Sequence, residues 1–208
     1  MTEPSCQLYL ISPLDVGGDF PSRLEAALSA GLVAAFQFRV KNVDQHEAAR
    51  LAEPLQEICA RHDVAFIVND SVSLAKRIKA DGVHLGQDDG DPREAREILG
   101  RDAQIGVTCH NSRHLAMEAA EAGADYVAFG AFFPTTTKDV KHQADLETLE
   151  MWSQFTEVPC VAIGGITPDN AKAVVDAGAD FIAVSGAVWN HSEGPAAAIR
   201  DFIKEIAK

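Results

Sequence analysis

Glu121-Ala-Gly-Ala-Asp125 leads directly into the apolar run 126–132, and Asp176-Ala-Gly-Ala-Asp180 leads into 181–184. Each phrase closes an amphipathic stretch and opens an apolar one. A glycine just past a helix, followed by a short turn, is the chemistry of a helix-to-strand connection. Working outward, the same alternation covers the chain. Apolar runs at 7–11, 33–40, 65–68, 82–85, 104–108, 126–132, 160–163 and 181–184 read as strands. Amphipathic stretches read as helices over 20–30, 44–61, 72–78, 92–99, 112–123, 146–155, 168–177 and 195–206, with Pro54 expected as a kink in the second.

The strands are apolar and β-branched without strict alternation, as expected where both faces of a parallel sheet are buried. Strands that alternate with helices predict such a sheet. Eight units predict its closure into a (β/α)8 TIM barrel of the α/β class. With no linker and no low-complexity segment, residues 1–208 read as one domain.

A net charge of −13 argues against a nucleic-acid surface, since phosphates repel an acidic field. A local group of cations can still take a small anion. Cys6, Cys59, Cys109 and Cys160 lie far apart without CxxC spacing, which argues against zinc and against a disulfide framework. The first residues have no signal-peptide pattern, and no run of 18 apolar residues occurs, so the expectation is a cytoplasmic protein without a membrane partner.

In such barrels chemistry sits at the carboxyl ends of strands. Gln37, Arg39 and Lys41 alternate at the end of the second, which predicts that all three face the mouth. Cations on an inward face are costly without an anion, so this strand end reads as a diphosphate clamp. The third strand ends Asn69-Asp70 and the fourth runs Gly82-Val-His-Leu-Gly-Gln-Asp-Asp89. Two carboxylates from adjacent strand ends, Asp70 and Asp89, suit a shared Mg2+. Read alone, Asp70 could equally cap the helix that follows. Pro134-Thr-Thr-Thr-Lys138 offers hydroxyls, amides and a lysine to phosphate oxygens. Gly164-Gly165-Ile166 and Val184-Ser185-Gly186 follow the last two strands, where barrels of this kind bind phosphate.

Taken in order, Gln37-x-Arg39-x-Lys41, Asn69-Asp70, Gly86-Gln-Asp-Asp89, Pro134-Thr-Thr-Thr-Lys138 and Gly164-Gly165-Ile166 resemble the thiamine-phosphate synthase family. The resemblance implies two small-molecule substrates, 4-amino-2-methyl-5-hydroxymethylpyrimidine diphosphate and hydroxyethylthiazole phosphate, and Mg2+ as cofactor. It implies that Arg39, Lys41, Asn69 and Lys138 hold the diphosphate, with Arg39, Lys41 and Lys138 as the catalytic cations. Asp70 and Asp89 would bind the metal. Thr135, Thr137, Gly165 and Ser185, with Val184 beside them, would line the thiazole phosphate, and Gln37 the pyrimidine side. Thr108, in Gly106-Val-Thr-Cys-His110, stands where the family usually has Ser and keeps the hydroxyl. Ile11-Ser12-Pro13 stands where the family more often has Thr-Asp, and the tract 139–142 does not match it.

Three rivals are separable. A thiazole tautomerase of the same barrel group lacks the complete diphosphate site. A sugar-phosphate barrel enzyme needs an acid–base pair, and no convincing one is found. A non-catalytic paralogue would bind the same precursors without joining them. The sequence leaves homo-oligomerisation open.

Overall fold

The computed structural model describes residues 6–135 and 143–206. Its strands are β1 (Gln7–Ile11), β2 (Val33–Phe38), β3 (Ala65–Asn69), β4 (Gly82–Leu85), β5 (Gln104–His110), β6 (Tyr126–Gly130), β7 (Cys160–Ile163) and β8 (Phe181–Val184). They form a closed barrel in chain order, every neighbour parallel, with β8 returning to β1. The helices are α1 (Phe20–Leu28), α2 (Gln45–Arg61), α3 (Val72–Ile78), α4 (Pro92–Leu99), α5 (Arg113–Glu121), α6 (Leu146–Phe155), α7 (Pro168–Asp176), α8 (Gly186–Trp189) and α9 (Pro195–Ile206).

Strand alternation sorts the core into two compartments. Leu8, Leu10, Phe36, Phe38 and Phe66 face outward and pack beneath the helices with Leu24, Leu55 and Phe202. Truncating one of these buried aromatics to alanine costs about 3–5 kcal/mol. Tyr9, Ile11, Ile67, Tyr126, Ala128, Val161 and Ala183 face inward and fill the barrel.

The Asp at the end of each repeated phrase has a specific task. The amide of Asp125 donates to the Ile105 carbonyl at 2.8 Å, and its carboxylate accepts from the Ile105 amide at 2.6 Å. Asp180 makes the same pair with Cys160, at 3.1 and 2.8 Å. Asp81 makes it with Phe66, at 3.0 and 2.7 Å. Each aspartate thus clamps the start of the preceding strand to the start of its own. At Asp125 the clamp is reinforced by Arg96, whose Nη2 reaches the same carboxylate oxygen at 2.6 Å.

Several boundaries differ from the sequence expectation. β2 stops at Phe38, because the Arg39 amide donates to the Ser12 hydroxyl at 2.9 Å instead of continuing a ladder. β6 stops at Gly130, and the Phe132 and Phe133 amides donate to Ile163 and Gly164 carbonyls instead. β5 runs on to His110, across an irregular register between Thr108 and His110. Pro54 is accommodated inside an unbroken α2. The short α8 was not expected, since four residues carry no readable period.

Candidate active site

All strands run parallel, so their carboxyl ends share one rim. Gln37, Arg39 and Lys41 leave that rim from β2 in steps of increasing exposure. Gln37 is buried, Arg39 half-buried and Lys41 exposed. Ser12, itself buried, holds the turn: its Oγ accepts from the Arg39 amide at 2.9 Å and donates to the Arg39 carbonyl at 3.1 Å. Among the described residues neither Arg39 nor Lys41 enters a close ion pair.

Asn69 ends β3 and Asp70 follows it in the left-handed region, at φ 64°. An Asp tolerates that conformation better than a branched residue does. The Asp70 amide donates to the His84 carbonyl at 2.8 Å, which ties the turn to β4. The cap of α3 is Ser71, whose hydroxyl accepts the Leu74 amide at 3.2 Å, so the Asp70 carboxyl is not the helix cap. It lies close enough to the Asp89 carboxyl for the two to act on each other. Burial pushes Asp70 above the ordinary carboxylate range, and the Asp89 contact and charge push the same way, against Lys41 and Arg39. Asp89 is held in the loop after β4 by the Gly86 amide, which donates to its Oδ2 at 2.9 Å.

Thr108 points into the barrel from β5, with its hydroxyl 2.8 Å from Nε2 of His84. The Gln87 side chain donates to the Thr108 carbonyl at 2.6 Å and braces this strand end.

The loops after β6, β7 and β8 form the other side of the rim. Gly165 has φ 64°, and a Cβ there would lie 2.3 Å from the Pro134 carbonyl oxygen. Only glycine lets the turn after β7 nest against 133–134. Asn170 fixes it from below, donating from Nδ2 to the Gly165 carbonyl at 3.1 Å. Thr135 is half-buried beside this turn's partner loop, while Thr137 and Lys138 lie outside the described residues. Val184 is buried at the end of β8 and Ser185 opens α8. Trp189 anchors that helix, donating from Nε1 to the Ile11 carbonyl at 2.6 Å, and Arg23 donates to the Trp189 carbonyl.

A family model described as thiamine monophosphate synthase matches residues 8–188. The chain belongs to the thiamine monophosphate synthase family. It is therefore a transferase acting on small molecules. A curated thiamine-phosphate synthase of Erythrobacter litoralis is 71% identical over 99% of this chain and 98% of its own length. One from Rhodospirillum centenum is 56% identical over 95% and 96%. A solved thiamine phosphate pyrophosphorylase from Pyrococcus furiosus superposes with a TM-score of 0.86 at 32% identity, over 98% of this chain and 96% of that one.

Within this synthase fold some residues escaped the sequence reading. Ser12 was noted only as a departure, yet it sets the backbone of Arg39. Tyr9 and Tyr126, the chain's 2 tyrosines, were counted with the apolar strands, and their hydroxyls meet at 2.8 Å inside the barrel. The available signal was a phenol at an inward strand position, which needs a hydrogen-bond partner when buried. Among the described residues no helix is long and apolar enough to cross a membrane.

Proposed function

We propose that the chain joins 4-amino-2-methyl-5-hydroxymethylpyrimidine diphosphate to hydroxyethylthiazole phosphate, giving thiamine phosphate and pyrophosphate, with Mg2+ as cofactor. The observation that carries the reading is the nearness of the Asp70 and Asp89 carboxyl groups at the rim, with Arg39 and Lys41 also near enough to act on Asp70. Two carboxylates alone repel each other. Two carboxylates and two cations around one gap suit a polyanion that arrives with a divalent metal.

Among the described residues no group of three or more His, Cys, Asp or Glu is placed to hold a metal. A carboxylate pair is nonetheless a fitting donor set for Mg2+, which keeps several waters and draws its remaining ligands from substrate phosphates. Asp70 and Asp89 would hold the ion, which when bound neutralises charge on the diphosphate.

Arg39 and Lys41 bind the diphosphate, the first through its planar fork and the second as a point charge. Asn69 and Thr108 supply neutral donors beside them. Lys138 joins this group on the family resemblance. Thr135, Thr137, Gly165, Val184 and Ser185 take the thiazole phosphate, and Gln37 faces the pyrimidine. The bond from the pyrimidine methylene carbon to the diphosphate oxygen breaks first, and its electron pair leaves with pyrophosphate. The aminopyrimidine ring spreads the positive charge that remains. The lone pair of the thiazole nitrogen then forms the carbon–nitrogen bond. No protein nucleophile or general base is required, so the chain's work is to align two rings and stabilise a departing anion.

The test is to mix the purified protein with both substrates and Mg2+ and to follow thiamine phosphate and pyrophosphate. Both products are expected, and neither in excess chelator. Lys138→Ala and Asp70→Ala are expected to lower turnover sharply with the fold intact. Tight binding of both substrates without product would overturn the reading in favour of a binding paralogue. Isomerisation of a thiazole carboxylate would overturn it in favour of a tautomerase.

A further inference from the structure

Five polar side chains from five strands form one continuous chain across the barrel. Gln37 on β2 donates from Nε2 to the Tyr9 hydroxyl on β1 at 3.0 Å. The Tyr9 and Tyr126 hydroxyls are 2.8 Å apart. The Tyr126 hydroxyl lies 3.1 Å from Nδ1 of His84, and Nε2 of His84 lies 2.8 Å from the Thr108 hydroxyl. The first four members are between 3% and 8% exposed, and only Thr108 opens towards the mouth.

The geometry is held by ring packing as well as by hydrogen bonds. The two tyrosines meet edge to face at 5.9 Å, and His84 stacks on Tyr126 at 5.6 Å. Gly106 makes room: a Cβ there would fall 2.0 Å from the Tyr126 ring. Burial pushes Tyr9 up to about 12 and Tyr126 well above the usual phenol value, so both phenols keep their protons.

Counting hydrogens gives the chain a direction. The Gln37 amide nitrogen can only donate, so the Tyr9 oxygen accepts from it; the arrangement that partners every hydrogen of the chain then has Tyr9 giving its own hydrogen onward to Tyr126. The Tyr126 hydrogen then goes to Nδ1 of His84. A neutral imidazole that accepts at Nδ1 carries its proton on Nε2 and donates to Thr108. In the reverse direction the Tyr9 oxygen would accept from both Gln37 and Tyr126, and its own hydrogen would have no partner within the chain, a loss that a buried site penalises. Thr108 therefore receives a hydrogen bond from below, and its own O–H is the one left to give.

We propose that Tyr9, Tyr126 and His84 are positioning residues that act through Thr108, fixing its hydroxyl as a donor aimed at the leaving diphosphate. This rests on the placement of the diphosphate given above. A hydroxyl that must otherwise choose between donating downward and donating to substrate is committed in advance, so no reorganisation is needed as charge builds on the leaving group. The β-branch of Thr108 adds to this by restricting its χ1.

The test is a double-mutant cycle on the whole protein. Tyr126→Phe keeps the ring and removes the relayed hydrogen. It is expected to lower kcat about tenfold, with KM for the pyrimidine diphosphate within about twofold of wild type, the pattern of an interaction strengthened only in the transition state. In a Thr108→Val background the same change is expected to cost less than about twofold, because the group it acts through is gone. An equal loss in both backgrounds, or a wild-type kcat in Tyr126→Phe, overturns the proposal. If Tyr126→Phe does not fold, Tyr9→Phe tests the same chain one step back, with the same two outcomes. A second readout needs no turnover: 15N spectra of histidine-labelled protein are expected to show His84 protonated at Nε2 and bare at Nδ1. The opposite tautomer overturns the proposal even in an active enzyme. An inactive protein with the expected tautomer would instead count against the synthase reading alone.

Discussion

The carboxyl of Asp70, just past β3, neighbours that of Asp89, in the loop after β4, and burial together with this neighbour holds Asp70 above its ordinary range. A site built this way is uncomfortable until a cation arrives. Asp70→Asn keeps a residue that tolerates positive φ and removes one charge. It is expected to melt higher than wild type in chelator, while turnover falls about 100-fold or more. The sign with pH follows from the raised value. The ionised carboxyl costs the fold stability at neutral pH, and that cost is relieved as pH falls through the raised value towards the ordinary one. The advantage of Asp70→Asn should therefore shrink on acidification. Thermal scans across pH, with chelator and with Mg2+, check this; a variant no more stable than wild type at neutral pH would contradict it.

Ser12 holds the Arg39 backbone at both its amide and its carbonyl. Ser12→Ala leaves two backbone groups to find new partners beside a buried site, a loss of about 1–3 kcal/mol by urea unfolding. Arg39 then loses its fixed point, so KM for the diphosphate substrate is expected to rise along with the fall in stability. Ser12→Thr, which keeps the hydroxyl, should restore most of both.

Gly165 admits no side chain against the Pro134 carbonyl. Gly165→Ala is expected to displace the turn after β7 and raise KM for the thiazole phosphate about tenfold, with a smaller change for the pyrimidine diphosphate. Steady-state kinetics in each substrate separately will show the split. Equal effects on both substrates would place this turn away from the thiazole phosphate.

Asp125 lies at the end of the barrel opposite the rim, where it binds the Ile105 amide and Arg96. Asp125→Ala should cost about 2–4 kcal/mol, because a charge-assisted pair is lost and Arg96 keeps only carbonyl partners. Both KM values should stay at wild type. A large kinetic effect without a stability effect would contradict the separation of the two ends.

The barrel was legible because its signal is repetitive: a helix-to-strand phrase that recurs at 121–125 and 176–180 marks the unit even where single boundaries blur. The charged residues of the rim could be picked out together because Arg39, Lys41, Asp70 and Asp89 follow closely on the ends of β2, β3 and β4. What escaped were relationships closed only by the fold. Tyr9 and Tyr126 are 117 residues apart, and nothing local announces that their hydroxyls meet. The end of β2 was misplaced for a related reason. Arg39 looked like a continuing strand until the Ser12 hydroxyl, 27 residues earlier, took its amide. The alternative reading of Asp70 as a helix cap failed because Ser71 beside it does that job.

The paired bonds at Asp81, Asp125 and Asp180 each link a strand only to its immediate neighbour. Among the described residues no single keystone closes that floor; the stitching is distributed. A lineage can therefore rebuild one upper loop at a time, trading one ligand preference for another, without first renegotiating how the chain folds.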